Sequence, residues 1–206
     1  MIEKNDSIIC TVADCTGHGI PGAFMSLLGF NILENIVERR DILTPSEVLT
    51  ELNKKMVNTM SQNISHDTTV KHGMDAALIM VDTKKMELQF AGARNPLYQI
   101  RNGVVMDYKA DKMSVGSLKD GRFVEFTNHQ IPIQKGDTFY LFSDGFPDQI
   151  GGPNRNKFYY PPSKDLLISI HQSDVQEQKL LLDKTITEWR GEKDQTDDIL
   201  VVGIRI

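Results

Sequence analysis

The spacing of apolar residues changes several times along the chain, and each change marks an element. The run Ser7-Ile8-Ile9-Cys10-Thr11-Val12-Ala13 is short, β-branched and apolar, the composition of a buried strand. It passes into Asp14-Cys15-Thr16-Gly17-His18-Gly19, whose glycines and lack of period predict a tight loop. Pro21 stands where a first helical turn tolerates it. Ala23, Phe24, Leu27, Leu28, Ile32, Ile36 and Val37 then recur at helical spacing, predicting an amphipathic helix over 21–39. A second helix opens at Thr44-Pro45-Ser46-Glu47, where Thr44 as cap and Glu47 three residues on have the form of a capping box. Val48, Leu49, Leu52, Met56 and Met60 give this helix one stripe. The Leu27/Leu28/Ile32 and Leu52/Met56 stripes are expected in the core.

Gln62 to Met74 is polar, and beyond it the period becomes extended. Strands are expected over Ala76–Val81, Glu87–Gly92, Pro96–Arg101, Val104–Tyr108, Val124–Ile131 and Asp137–Phe142, with turns at 82–85, 102–103 and 135–136. Lys164–His171 and Val175–Trp189 read as helices, and Ile199–Ile206 as a final strand. Helices early and late around an antiparallel meander predict an α+β fold in place of parallel βαβ units. The 206 residues suit a single domain, 1–206. The first strand needs sheet neighbours that the few residues ahead of it do not supply, so the domain is expected to begin upstream.

Composition narrows the class. Hydrophobic residues at 40% and charged residues at 25% exclude a disordered tail. The balance of 23 basic against 28 acidic residues, with no Lys/Arg run longer than two, leaves no electrostatic footprint for nucleic acid. No uninterrupted apolar run approaches the ~18 residues of a membrane span, so direct insertion is not expected. Cys10 and Cys15 lie about 16 Å apart on an extended segment, beyond disulfide reach, which predicts reduced thiols and a cytoplasmic setting.

Three acidic positions share one setting. Asp14 follows a strand and precedes a glycine-rich loop, Asp144 follows a strand and precedes Gly145, and Asp197-Asp198 opens the last strand. Carboxylates at strand ends beside glycines suit a hard cation, and the absence of a Cys/His ligand cluster favours Mg²⁺ or Mn²⁺ over zinc. Each Asp equally suits the capping of a turn. Spacing alone does not decide between the two.

Five segments, taken in order, carry a resemblance: Val12-Ala13-Asp14-Cys15-Thr16-Gly17-His18-Gly19-Ile20-Pro21-Gly22-Ala23-Phe24-Met25-Ser26, Gly73-Met74-Asp75, Ala91-Gly92-Ala93-Arg94-Asn95-Pro96-Leu97, Phe139-Tyr140-Leu141-Phe142-Ser143-Asp144-Gly145, and Gln195-Thr196-Asp197-Asp198-Ile199-Leu200-Val201. Together they resemble the bacterial metal-dependent serine/threonine phosphatases of the stage II sporulation protein E type, relatives of the type 2C protein phosphatases. The resemblance implies a four-layer α-β-β-α sandwich of two antiparallel sheets with a site for two ions, Mn²⁺ or Mg²⁺. It implies Asp14 as the shared carboxylate, the Cys15 carbonyl as a backbone ligand, and Asp144 and Asp197 as further ligands, with Asp198 behind them. It also implies direct hydrolysis by metal-activated water, with no phosphoenzyme and no nucleophilic role for Cys15.

In some type 2C enzymes a histidine two positions past the shared Asp serves as proton donor. Here that position is Thr16, and His18 is either its substitute or a structural turn residue. Arg94 either grips a phosphate or is a solvated turn residue, and Asp75 is a secondary ligand candidate. The family's upstream Gly-Asp-aromatic motif has no counterpart, since Glu3 and Asp6 lie outside any such pattern. The site is therefore expected to lack one oxygen donor, leaving this stretch weakly active or inactive alone, and a sensor module is expected upstream. The implied partner is a phosphorylated regulatory protein resembling an anti-sigma-factor antagonist, with a homodimer as a further possibility. The competing class is a non-catalytic module of the same fold that binds a phosphoprotein.

Overall fold

The computed structural model describes residues 1–4, 7–17, 19–39, 44–63, 73–119, 121–123 and 125–206. In chain order the elements are β1 (Ile2–Lys4), β2 (Ser7–Cys15), α1 (Gly19–Arg39), α2 (Pro45–Asn63), β3 (Met74–Asp82), β4 (Glu87–Ala93), β5 (Leu97–Arg101), β6 (Val104–Tyr108), β7 (His129–Pro132) and β8 (Thr138–Phe142). They continue with α3 (Gly145–Asp148), β9 (Ile150–Gly151), β10 (Asn156–Lys157), α4 (Tyr160–Ile170), α5 (Val175–Arg190) and β11 (Val201–Arg205). They fall into two compact units, Met1–Pro96 with Lys109–Ile133, and Leu97–Tyr108 with Gln134–Ile206.

The first unit is built on an antiparallel sheet ordered β1-β2-β3-β4-β7. Its longest seam joins β2 to β3 over nine residue pairs, from Ser7↔Asp82 to Cys15↔Met74. Ala76, Ala77, Leu78 and Ile79 of β3 are wholly buried, which explains a run that reads as continuous apolar sequence and does not alternate. Cys10 and Cys15 share β2 and are both free thiols. The first strand finds its neighbours within the chain, contrary to expectation: β3 on one side and the short β1, which pairs Ile2 with Ile9, on the other.

Helix α2 forms as its sequence specifies. The Thr44 N–H donates to Glu47 Oε2 at 2.8 Å, and the Glu47 N–H donates to Thr44 Oγ1 at 3.4 Å, so both halves of the capping box are present. Val48, Leu49, Leu52 and Met56 are buried in one cluster with Leu78, Ala91 and Phe126. Asn53 interrupts that stripe and is itself fully buried. Its Oδ1 accepts the N–H groups of Gly116 (2.8 Å) and Ser117 (3.1 Å), so one polar side chain ties the 114–117 loop to the helix.

Helix α1 departs from expectation in its face. Met25, Ile36 and Val37 are buried, whereas Ile20, Phe24, Leu27 and Phe30 stand largely in solvent, Leu27 at 62% exposure. The expected Leu27/Leu28/Ile32 core stripe is therefore corrected at Leu27: Ile32 packs partly buried against the core, Leu28 is half-buried, and the inward face runs through Met25, Gly29 and Ile36. Gly29 lets the helix approach Met74, whose Sδ would lie 3.1 Å from a Cβ at that position. Composition accounts for the difference. Gly19–Glu38 is apolar nearly all round, with mean hydropathy 1.4, so its period does not single out a face. By length and composition alone this helix could cross a membrane, although Ser, Gly and Asn interrupt its apolar run.

The expected strand over 124–131 shrinks to β7, and Val124 lies outside the described residues. Side chains answer the backbone ahead of it: the Phe126 N–H donates to Thr50 Oγ1 at 3.1 Å and the Thr127 N–H to Asp111 Oδ2 at 2.7 Å.

The second unit has an antiparallel sheet ordered β11-β8-β5-β6 and a β9/β10 ribbon. Tyr98, Ile100, Tyr140 and Phe142 pack with Leu167 and Ile170 of α4. That helix starts four residues earlier than its apolar period suggests, because prolines occupy its first turn, where no N–H is needed. Helix α5 is capped by Asp174, whose carboxylate accepts the Gln176 N–H at 2.8 Å.

One buried charge organises this sheet. Asp137 accepts from Arg101 Nε (2.8 Å) and Nη2 (2.6 Å), Gln99 Nε2 (2.9 Å) and the Gln134 N–H (3.0 Å). Burial pushes its carboxyl up, but the Arg101 fork, the Gln134 N–H and Gln99 outweigh burial and hold it below the usual carboxylate range. A lowered folded pKa contributes stability above the unfolded value near 3.8, and that contribution is lost as pH falls through the folded value. Asp137→Asn should cost about 1.5–3 kcal/mol at neutral pH, since it removes the negative partner of the Arg101 fork, which is partly exposed. Chemical denaturation against pH should show the cost fading below about pH 4; an equal loss at every pH would refute the electrostatic account.

Candidate functional site

Each unit holds part of the chemistry singled out in the sequence. In the second unit, Asp144 closes β8 and opens α3, and Asp197 precedes β11. A carboxylate oxygen of Asp144 lies within 4.8 Å of one of Asp197. Two bare carboxylates at that range repel by roughly 3–4 kcal/mol at an effective dielectric near 20. The fold must therefore hold them together.

It does so with a serine, a glycine and a glutamine. The Ser143 N–H donates to the Leu200 carbonyl (3.0 Å), Ser143 Oγ donates to the Asp198 carbonyl (2.8 Å), and the Leu200 N–H donates to Ser143 Oγ (3.0 Å). Gly145 then allows contact that no side chain would permit, because a Cβ there would sit 2.3 Å from the Asp198 oxygen. Gln149, fully buried, accepts the Thr196 N–H and donates to Thr196 Oγ1 and the Asp194 carbonyl. Its own carbonyl accepts Trp189 Nε1–H at 3.1 Å. Asp197 Oδ1 accepts the Asp198 N–H at 2.7 Å, which turns the loop and leaves Asp197 exposed. Paired oxygen donors without sulfur or imidazole fit a hard divalent cation.

In the first unit, Asp14 ends β2 directly opposite Asp75 of β3. The Thr16 N–H donates to the Gly73 carbonyl at 2.8 Å, closing the strand pair just past Cys15. Gly17 turns the chain at φ 100°, and its carbonyl would lie 2.5 Å from a Cβ on Gly22, so both glycines are needed to bring the loop onto α1. The Cys15 thiol is pushed up by burial, with Asp14 adding to this and Ser26 opposing it, and so stays protonated at neutral pH. A packed, neutral thiol agrees with a side chain that takes no part as nucleophile.

Asp75 is fixed from two sides. Ser114 Oγ donates to its Oδ1 at 2.5 Å, and Arg94 Nε lies 3.8 Å from the same oxygen. Met74 and Val115 exchange N–H···O bonds of 2.8 Å in both directions, placing Ser114 beside Asp75. Burial pushes the Asp75 carboxyl up, against the pull of Ser114 and Arg94. Arg94 occupies a left-handed φ of 63°, pinned by its N–H to the Asp111 carbonyl at 2.8 Å.

His18, His66 and His72 lie outside the described residues. His129 Nε2 sits 3.1 Å from the Lys109 carbonyl and His171 Nδ1 2.6 Å from that of Ile168, so both meet backbone, as packing residues do. Sequence reasoning passed over Ser114, Ser143 and Gln149. Ser143, next to Asp144 in a run of strand residues, carried a local signal. Gln149 and Ser114 carried none, because their partners are distant in the chain.

The model of the family described as Stage II sporulation protein E (SpoIIE) matches residues 4–206. No curated protein matches significantly. Among solved structures, the SiaA-PP2C domain of Pseudomonas aeruginosa is 32% identical with TM-score 0.87, over 100% of this chain and 78% of that one. The PP2C phosphatase domain with a regulatory fragment of SpoIIE from Bacillus subtilis is 21% identical with TM-score 0.76, over 97% of this chain and 55% of that one. The RsbU and RsbW domains of a Mycobacterium tuberculosis protein are 16% identical with TM-score 0.71, over 98% and 53%. The last two likenesses speak to the fold alone, and the α+β fold with antiparallel sheets expected from the sequence is borne out.

Gly145→Ala should force the α3 start away from Asp198, costing roughly 2–4 kcal/mol in chemical denaturation. Unchanged stability would show that the contact is not the constraint described.

Proposed function

The chain belongs to the stage II sporulation protein E family, and from that premise we propose that it is a metal-dependent phosphatase domain hydrolysing phosphoserine or phosphothreonine on a regulatory protein. The observation that carries this reading is the Asp144–Asp197 carboxylate pair, which the surrounding backbone holds together against its own repulsion.

In this reading Asp14, Asp144, Asp197 and the Cys15 carbonyl are the ligands for Mn²⁺ or Mg²⁺. When bound, the ions supply an activated water and neutralise charge developing on the phosphoryl group. The chain's own residues do the rest. The carboxylates offer oxygen donors on rigid strand ends, Ser143 and Gly145 fix the Asp144 backbone, and His18 is the proposed proton donor to the departing oxygen. Cys15, protonated, forms no covalent intermediate.

The proposed substrate is a phosphorylated regulator of the anti-sigma-factor-antagonist kind, met in the cytoplasm. Support comes from family membership.

The test is hydrolysis of p-nitrophenyl phosphate and a phosphoserine peptide with and without Mn²⁺. Turnover should require the metal, and D14N, D144N and D197N should each lower kcat by about a hundredfold or more, as loss of a ligand to a reacting centre does. Phosphopeptide binding with no turnover at saturating Mn²⁺, in this chain and in the full-length protein alike, would instead identify a non-catalytic binding module.

A further inference from the structure

We propose that Arg94 is the phosphate-gripping residue of this site and that Asp75, locked by Ser114, is the positioning residue that holds it there. The inference rests on the phosphatase reading and adds to it the group that recognises the substrate's phosphoryl oxygens.

Asp75 is the direct cross-strand partner of Asp14. Side chains so placed on one face lie about 5 Å apart at Cβ, so a group tethered to Asp75 works within reach of whatever Asp14 holds. Arg94 is tethered in that way, at one end only. Its Nε lies 3.8 Å from Asp75 Oδ1, longer than a committed hydrogen bond, and its side chain is 58% exposed. Among the described residues nothing accepts from its two Nη groups. A guanidinium anchored loosely at Nε presents its terminal fork outward, the geometry that takes two oxygens of a phosphate dianion.

The anchor is stiffer than an exposed Arg–Asp pair usually receives. Asp75 is held by the 2.5 Å Ser114 bond, Ser114 by the paired Met74 and Val115 amides, and the following loop by buried Asn53. On the other side, Gly92 permits the turn: a Cβ there would meet the Asn95 carbonyl oxygen at 2.5 Å. The result is a left-handed, sparsely populated backbone at a bulky residue, maintained by the Arg94 N–H bond to Asp111. A solvated turn residue would need none of these.

Gripping non-bridging oxygens predicts the same effect on every phosphomonoester. R94A should raise KM for p-nitrophenyl phosphate and for the phosphoserine peptide alike, roughly ten- to hundredfold, and weaken inhibition by inorganic phosphate in step. kcat should stay within about threefold, as expected for a contact made equally to bound substrate and transition state. R94K, which keeps the charge and loses the fork, should fall between. D75N should shift KM in the same direction by less than R94A, and should add little in the R94A background.

An unchanged KM in R94A, or a loss confined to kcat, overturns the inference while leaving the phosphatase reading intact. A KM raised for the peptide but not for the small ester also overturns it, assigning Arg94 to protein contact. If the wild-type chain and the full-length protein both lack Mn²⁺-dependent turnover, the phosphatase reading falls. Titration of inorganic phosphate into the Mn²⁺-loaded wild type and R94A then decides: at least tenfold weaker binding in R94A supports the grip, and equal or absent binding overturns it.

Discussion

The register of β2 on β3 is the constraint from which the chemistry of the first unit follows. Nine pairs in sequence, from Ser7↔Asp82 to Cys15↔Met74, leave no freedom for slippage. A shift of one residue would turn every side chain to the opposite face and would part Asp14 from Asp75. The register is specified by burial, because Ala76 to Ile79 and Val12 cannot be exchanged for Asp75 or Asp14 without placing charge in the core. The position of two carboxylates is thus decided by the apolar residues along the two paired strands.

In the second unit the same end is reached by a different route. Asp144 and Asp197 belong to segments far apart in sequence, and their encounter depends on a close backbone approach at Gly145 together with the Ser143 and Gln149 bonds. Here hydrogen bonding and the absence of a side chain do what strand register does for Asp14. The glycine beside the aspartate is a steric necessity. It is required whether or not a cation is present.

Much of this was legible in the chain. The strand, loop and helix at 7–39, the capping box at Thr44 and Glu47, and the hairpin of β5 and β6 follow from local rules that the structure obeys. Asp14, Asp144 and Asp197 were singled out by their setting at strand ends. Three features lay beyond local reading. The inward face of α1 was hidden because the helix is apolar all round. Asp75 was placed opposite Asp14 by pairing across about sixty intervening residues, which no window detects. Gln149, Ser114 and Asn53 satisfy backbone groups remote in sequence, so their meaning exists only in the folded chain.

Trp189 is the sole tryptophan of the protein. Its ring packs on Gly151, Gly152 and the edge of Phe158, and its Nε1–H bonds the carbonyl of the residue whose side chain secures Thr196. Indole emission is sensitive to that carbonyl and to water at the ring. The native chain therefore carries an intrinsic optical probe beside the loop that bears Asp197, and rearrangement of that loop has a fluorescence signature without any label.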